Sequence, residues 1–135
     1  MDSDSSIAAQ FLDEFAASVN AKDFAAHMAL ISEQVSIKGL PGFDAIGYEE
    51  WARQCKHEFD EGILDHVDYS GLVLREHDAG RIVFATVETV RASDASVNTM
   101  GLEMEIAREE DGHWRMIRQR LLEEEEIGTL QLVAE

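Results

Sequence analysis

The chain has 135 residues, 45% of them hydrophobic, which suits one domain spanning 1–135 with a single core that buries roughly two-thirds of the unfolded surface. Acidic residues outnumber basic ones by 28 to 11, and the formal charge of -17 repels phosphate backbones and anionic bilayers, so neither nucleic acid nor membrane is expected as a partner. The apolar runs fall well short of the ~20 residues that cross a bilayer, and Met1-Asp2-Ser3-Asp4-Ser5 is acidic where a signal peptide is basic; the expected location is the cytoplasm.

The lone cysteine, Cys55, has no partner for an internal disulfide and no companion ligands for structural zinc, so no metal and no cofactor is expected. Ser5 or Ser6 can cap a first helix, in which Ile7, Ala8, Phe11, Leu12, Phe15, Ala16 and Val19 recur at three- and four-residue steps and mark one buried face. Asp23 can cap a short second helix with Phe24, Met28 and Ile31 as its inner stripe. Val35 and Ile37 alternate with Ser36 and Lys38 in a brief strand, and Gly39-Leu40-Pro41-Gly42 then forces a turn. Phe43 and Ile46 suggest that the following loop is well packed. A third helix runs from about Gly47 to Glu61, with Tyr48, Trp51, Ala52, Cys55 and Phe59 on one face.

Beyond Gly62 the pattern is that of strands, near Leu64–Arg75, Arg81–Ala92, Val97–Glu110 and His113–Glu124. The segment Ile127–Glu135 can extend the last strand or pack on a partner subunit. Asp111-Gly112 between alternating runs predicts a two-residue hairpin turn. In that register Ile106 lies opposite Ile117, Glu105 opposite Arg118, Glu103 opposite Arg120 and Leu102 opposite Leu121, matching charge with charge and apolar with apolar. A four-residue loop at Ser93–Ser96 then places Val83, Ala85 and Val87 with Met100, Leu102, Met104 and Ile106 on the apolar face that takes the helices. Phe84, Thr86, Glu88, Glu103, Glu105, Trp114, Met116, Arg118 and Arg120 share the other face. A single bulge would swap the faces beyond it.

Asn20-Ala21-Lys22-Asp23 between the first helices, Gly47 opening a Gly-Tyr-Glu-Glu-Trp helix, and Asp111-Gly112-His113-Trp114-Arg115 before the last strand occur in an order that resembles the SnoaL-like branch of the nuclear transport factor two-like superfamily. The resemblance covers nearly the whole chain. It implies an α+β fold: a curved, mostly antiparallel sheet wrapped around about three N-terminal helices as a cone, with an interior pocket and frequent dimerisation through the sheet's outer face. It implies no single activity, because the superfamily includes isomerases, dehydratases, hydrolases, cyclases and non-catalytic binders. The first-helix tyrosine of the ketosteroid isomerases is matched here by Phe11 and Phe15, so no catalytic residue is carried over.

In such a cone Phe15, Met28, Tyr48, Trp51, Cys55, Met100 and Met104 line either a pocket for a small apolar ligand or an ordinary core. Gln119 falls beside Met104 on the apolar face, where its amide needs a ligand or a neighbouring backbone group. His57 and Glu58, with His66 and Tyr69, are the acid-base candidates, and a solvated helix end is the competing reading. His27 and His77 read as surface residues. Phe84, Glu88, Glu103, Trp114, Met116, Arg118 and Arg120 form the expected homodimer surface. The functional expectation is a pocket for a small, largely apolar molecule, with cofactor-independent isomerisation, dehydration or hydrolysis as its candidate chemistry. The alternative is a non-catalytic ligand-binding or assembly domain with a closed core.

Overall fold

The computed structural model describes residues 3–38, 45–78 and 80–129; the expected turn at Gly39–Gly42 and the packing of Phe43 lie outside them. The first helix, α1 (Ser3–Asn20), begins ahead of the expected caps and buries Ala8, Phe11, Leu12, Phe15 and Val19, the periodic stripe read from the sequence. Its end is clamped to the sheet: Asn20 Nδ2 donates to the Val67 carbonyl at 3.0 Å, and the Val67 N–H donates back to Asn20 Oδ1 at 2.7 Å. Lys22 takes a left-handed φ of 56°, and Asp23 caps α2 (Phe24–Met28) by accepting from the Ala26 N–H. Ile31, expected on the helix stripe, instead opens β1 (Ile31–Ile37). Ile46 pairs with Ile37 in an isolated bridge and is buried, as its expected packing requires. Helix α3 (Tyr48–Glu61) starts where the Gly47 N–H donates to Glu50 Oε1 and stops at Gly62, whose φ of 65° is the left-handed cap glycine permits.

Four strands follow, β2 (Leu64–Asp78), β3 (Arg81–Ala92), β4 (Val97–Arg108) and β5 (Trp114–Leu121), then a short helix α4 (Glu124–Thr129). They make a five-stranded mixed sheet in the order β1-β5-β4-β3-β2, antiparallel except where β1 runs parallel to β5. Three register shifts in β2 bend that strand, one of them spanning Gly71 at φ 72°. The buried Thr86 hydroxyl reaches across from β3 to the Gly71 carbonyl at 2.6 Å, satisfying an acceptor at the bend. The inner face of the curved sheet packs Ile82, Phe84, Leu102, Met104, Ile106 and Met116 against the α1 stripe in one core.

Both hairpins differ from their expected turns by one residue. The Glu109 N–H donates to the His113 carbonyl, enclosing Glu110-Asp111-Gly112, and of the two turn residues Asp111 and Gly112 only Gly112 has positive φ, 84°. A two-residue type I′ turn needs positive φ at both centres, so the chain forms a three-residue loop instead. Ile106 therefore pairs with Met116 rather than Ile117, and a bulge then restores the expected pairs Glu105–Arg118, Glu103–Arg120 and Leu102–Leu121. At the other turn the Ala92 N–H donates to the Ser96 carbonyl, enclosing Ser93-Asp94-Ala95 with Ala95 at φ 72°. That is one residue fewer than expected. Phe84 thus pairs with Met104, Thr86 with Leu102 and Glu88 with Met100.

A one-residue slip exchanges the faces of a strand. Phe84, Thr86 and Glu88 point inward and Val83, Ala85 and Val87 outward, the reverse of the expectation. The β5 bulge likewise turns Met116 into the core and Trp114 against it, so Phe84, Glu88, Trp114 and Met116 are not on the outer face. Glu103, Glu105, Arg118 and Arg120 remain there. Helix α4 covers part of that face, where Ile127 packs on Ala85, Val87 and Leu122.

Candidate functional site

Between the helices and the inner sheet face lies a cavity of about 230 Å³. Helix α1 supplies Phe15 and Val19 to its wall, and α3 supplies Trp51, Gln54, Cys55, Glu58 and Phe59, which fall on one side because they recur at three- and four-residue steps. From the sheet come Val67 and Tyr69 of β2, Glu88 and Val90 of β3, Met100 of β4, and Gln119 and Leu121 of β5. Lys38, just past β1, is an exposed residue at the edge. A larger groove of about 580 Å³ opens between α1, α2 and the β4–β5 loop, but it brings no two carboxylates together beyond the single Glu14.

Cross-strand pairing sets Tyr69 opposite Glu88, and the Tyr69 hydroxyl donates to Glu88 Oε2 at 2.6 Å. Burial pushes the Glu88 carboxyl above the usual range; the phenol bond pulls it back, and the nearby charge of Glu58 pushes it up again. Glu58 is raised mainly by its own burial, against a hydrogen bond from Gln54 and the positive potential of His57. The Tyr69 phenol stays protonated, because burial and then the Glu88 charge drive its pKa well above the ordinary value. Glu88 Oε1 is left without a protein partner among the described residues.

Beside this pair His27 is 1% exposed, not a surface residue as its sequence context suggests. Trp51 Nε1–H donates to its Nε2 at 3.0 Å, and its Nδ1 lies 3.2 Å from Ser18 Oγ, which itself donates to the Phe15 carbonyl at 2.8 Å. An indole nitrogen only donates, so the proton of the neutral imidazole sits on Nδ1 and points to Ser18. Burial lowers the His27 pKa to about 4. With both nitrogens engaged and no charge near neutrality, His27 holds Trp51 in place and is not a free base. Burial, followed by the charge of Glu58, pushes the Cys55 thiol up to about 12, so it is no nucleophile.

Of the expected pocket residues, Phe15, Trp51, Cys55, Met100 and Gln119 meet at the cavity. Met104 and Met28 are buried in the core instead, and Tyr48 borders a separate groove with Met28, Ser32 and Glu109. The Gln119 side-chain amide makes no hydrogen bond to the described residues. The acid-base cluster divides: Glu58 and Tyr69 face the cavity, while His57 is exposed and His66 pairs with Asp68 at 3.0 Å away from the cavity. Glu88 was expected on the outer face with Arg118 because the β3 register was off by one; it faces the cavity instead. The signal for His27 was the indole of Trp51, which needs a polar partner once buried.

On the outer face Glu105 receives Arg81 Nε at 2.7 Å and Arg118 Nη1 at 2.8 Å, and Glu103 receives Arg75 Nη1 and Arg120 Nε. Arg120 also grips Glu126 of α4 at 2.8 Å. Among the described residues no three or more His, Cys, Asp or Glu side chains are placed to hold a metal, and no helix is long and apolar enough to cross a membrane.

No family model and no curated protein matches the sequence. Solved structures do match the fold. An NTF2-like (nuclear transport factor two-like) protein from Cytophaga hutchinsonii is 13% identical with a TM-score of 0.72, over 86% of this chain and 94% of that one. A ketosteroid isomerase-like protein from Erwinia carotovora atroseptica is 14% identical with a TM-score of 0.65, over 91% and 99%. A protein provisionally named a scytalone dehydratase, from Novosphingobium aromaticivorans, is 12% identical with a TM-score of 0.65, over 84% and 79%. At these identities the likeness concerns the fold: the chain has the α+β, cystatin-like cone of the nuclear transport factor two-like proteins, as the sequence resemblance implies.

Proposed function

We propose that this nuclear transport factor two-like cone binds a small, largely apolar molecule in its interior cavity and moves a proton on it with Glu88. The observation that carries the reading is the convergence of two carboxyl groups, Glu88 and Glu58, in an otherwise apolar cavity, with the Tyr69 phenol on one oxygen of Glu88 and the other oxygen open. A carboxyl that burial and a neighbouring carboxyl hold above its usual range suits general acid-base work, taking a proton from a ligand and returning it. Tyr69 orients Glu88 and, as a protonated phenol, cannot itself act as the base. Gln119 supplies an amide that can fix the polar end of a ligand. The isomerase and dehydratase names of two structural neighbours belong to reactions of this proton-transfer kind, and no step needs a cofactor.

Binding is tested by thermal shift with a panel of single-ring compounds, since a ligand specific to the native state raises the melting temperature as its concentration passes Kd. Hits should lose their shift in Gln119→Leu and Glu88→Gln. An unresponsive panel, or shifts unchanged in both variants, contradicts the site.

For assembly, we propose a homodimer through the part of the outer sheet face that carries Glu103, Arg118 and Arg120, beside α4. Its support is the paired array in which Arg118 stays 67% exposed above a nearly buried Glu105.

A further inference from the structure

The chemical class of the ligand follows from which charges and which walls the cavity offers, if the interior cavity is the functional site as proposed above. Glu58 and Glu88 are its inward-facing ionisable acids. His57, next to Glu58 on α3, is exposed, and its positive potential acts on Glu58 from outside the lining; the titratable groups that line the cavity with the two acids carry no competing charge at that end. His27 on α2 has both ring nitrogens engaged, Cys55 on α3 keeps its proton, and Tyr69 on β2 spends its hydroxyl on Glu88. Lys38 is exposed at the edge past β1 and is not among the groups that perturb either carboxyl. Aromatic rings share the lining with the acids, Phe15 of α1 with Trp51 and Phe59 of α3.

We propose that the ligand is a protonated amine built on a single ring, with its ammonium on the open oxygen of Glu88 and near Glu58, and its ring against the aromatic wall. An ionised carboxylate only accepts hydrogen bonds, and an ammonium only donates them, so the two match where a carbonyl oxygen would meet lone pairs. Aromatic faces attract cations through their quadrupole, whereas a ligand carboxylate would be repelled by both acids. An inorganic divalent ion would need more oxygen ligands than these apolar walls hold. The size limit comes from volume: a cavity of ~150 Å³ takes a benzene molecule, and about 230 Å³ leaves room for one ring and a short polar arm. The net charge of -17 gathers cations around the protein and speeds their arrival.

The test is calorimetric titration of the full chain at neutral pH with benzylamine, benzyl alcohol, acetophenone and benzoate, repeated in Glu88→Gln and Glu58→Gln. Benzylamine should bind about tenfold tighter than benzyl alcohol, the difference one charge-assisted hydrogen bond makes. That preference should collapse in either variant, so a Glu88→Gln protein that fails to fold still leaves Glu58→Gln to decide. Benzyl alcohol or acetophenone binding as tightly as the amine, with the binding lost in Gln119→Leu, overturns the amine and leaves the interior site standing. Amine binding unchanged in both glutamine variants marks attraction to the acidic surface and also overturns it. No binding by any of the four compounds removes the interior site and the amine together.

Discussion

One hydrogen bond offsets part of what burial does to the Glu88 carboxyl. The Tyr69 phenol lowers its pKa against the effect of burial, so Tyr69→Phe should move the Glu88 carboxyl further up and cost about 1–3 kcal/mol of stability. Side-chain carboxyl NMR titration reads the shift; an unmoved Glu88 would contradict the role given to Tyr69. His27 makes a prediction of the opposite sign. Its imidazole titrates at about 4 when folded and at 6.5 when unfolded, so between those values the unfolded chain binds more protons and stability falls as pH is lowered. The full effect, present above 6.5 and gone below 4, is about 3 kcal/mol from a shift of that size. The raised carboxyls of Glu58 and Glu88 act the other way, because their folded forms hold protons longer, and so the His27 contribution must be read by difference. His27→Gln keeps an acceptor for Trp51 and a donor for Ser18 but never ionises. Urea midpoints followed across this range should show a shallower pH slope in the variant, and identical slopes would mean that His27 is not buried in its neutral form.

The elements show how much of this was legible. The helices announced themselves through periodicity and Asp23 and Gly62 through their capping chemistry, whereas the strand faces turned on two loops. Charge matching identified Glu103–Arg120 and Glu105–Arg118 correctly and set Gln119 beside Met104. It could not see that the β3–β4 loop closes one residue short, because Ser93-Asp94-Ala95-Ser96 contains no glycine to mark the left-handed residue. That slip put Glu88 on the wrong face. A five-residue α2 is also too short for periodicity to show which side His27 takes. Ala95 at φ 72° pays the steric cost of a side chain in the left-handed region, so Ala95→Gly should stabilise the protein by about 1 kcal/mol in urea melts. Destabilisation would argue for a different loop. At Gly101 a Cβ would come within 2.8 Å of Ile127 Cγ1, close enough to force a shift. Gly101→Ala should therefore lift α4 off the sheet with a loss of about 1–3 kcal/mol, seen as faster amide exchange at Glu126 and Ile127. Unchanged exchange there would contradict the docking of α4.

At the scale of the molecule, the cone separates two surfaces of opposite character. The outer face is an ion-paired array and the inner face encloses a cavity with two acids. The dimer proposed on the outer face predicts that the protein elutes as a dimer in size-exclusion chromatography and that Arg118→Ala shifts it toward the monomer. A monomeric parent would exclude that assembly, while the interior site would be untouched, because Glu88, Trp114 and Met116 face the other way. The interior is therefore where the central claim is decided, by a crystal structure of the protein soaked with the single-ring compounds. A ring should be seated between Phe15, Trp51 and Phe59 with its polar group within hydrogen-bonding distance of Glu88. Compounds bound only in the outer groove between α1, α2 and the β4–β5 loop, with the interior closed, would contradict it.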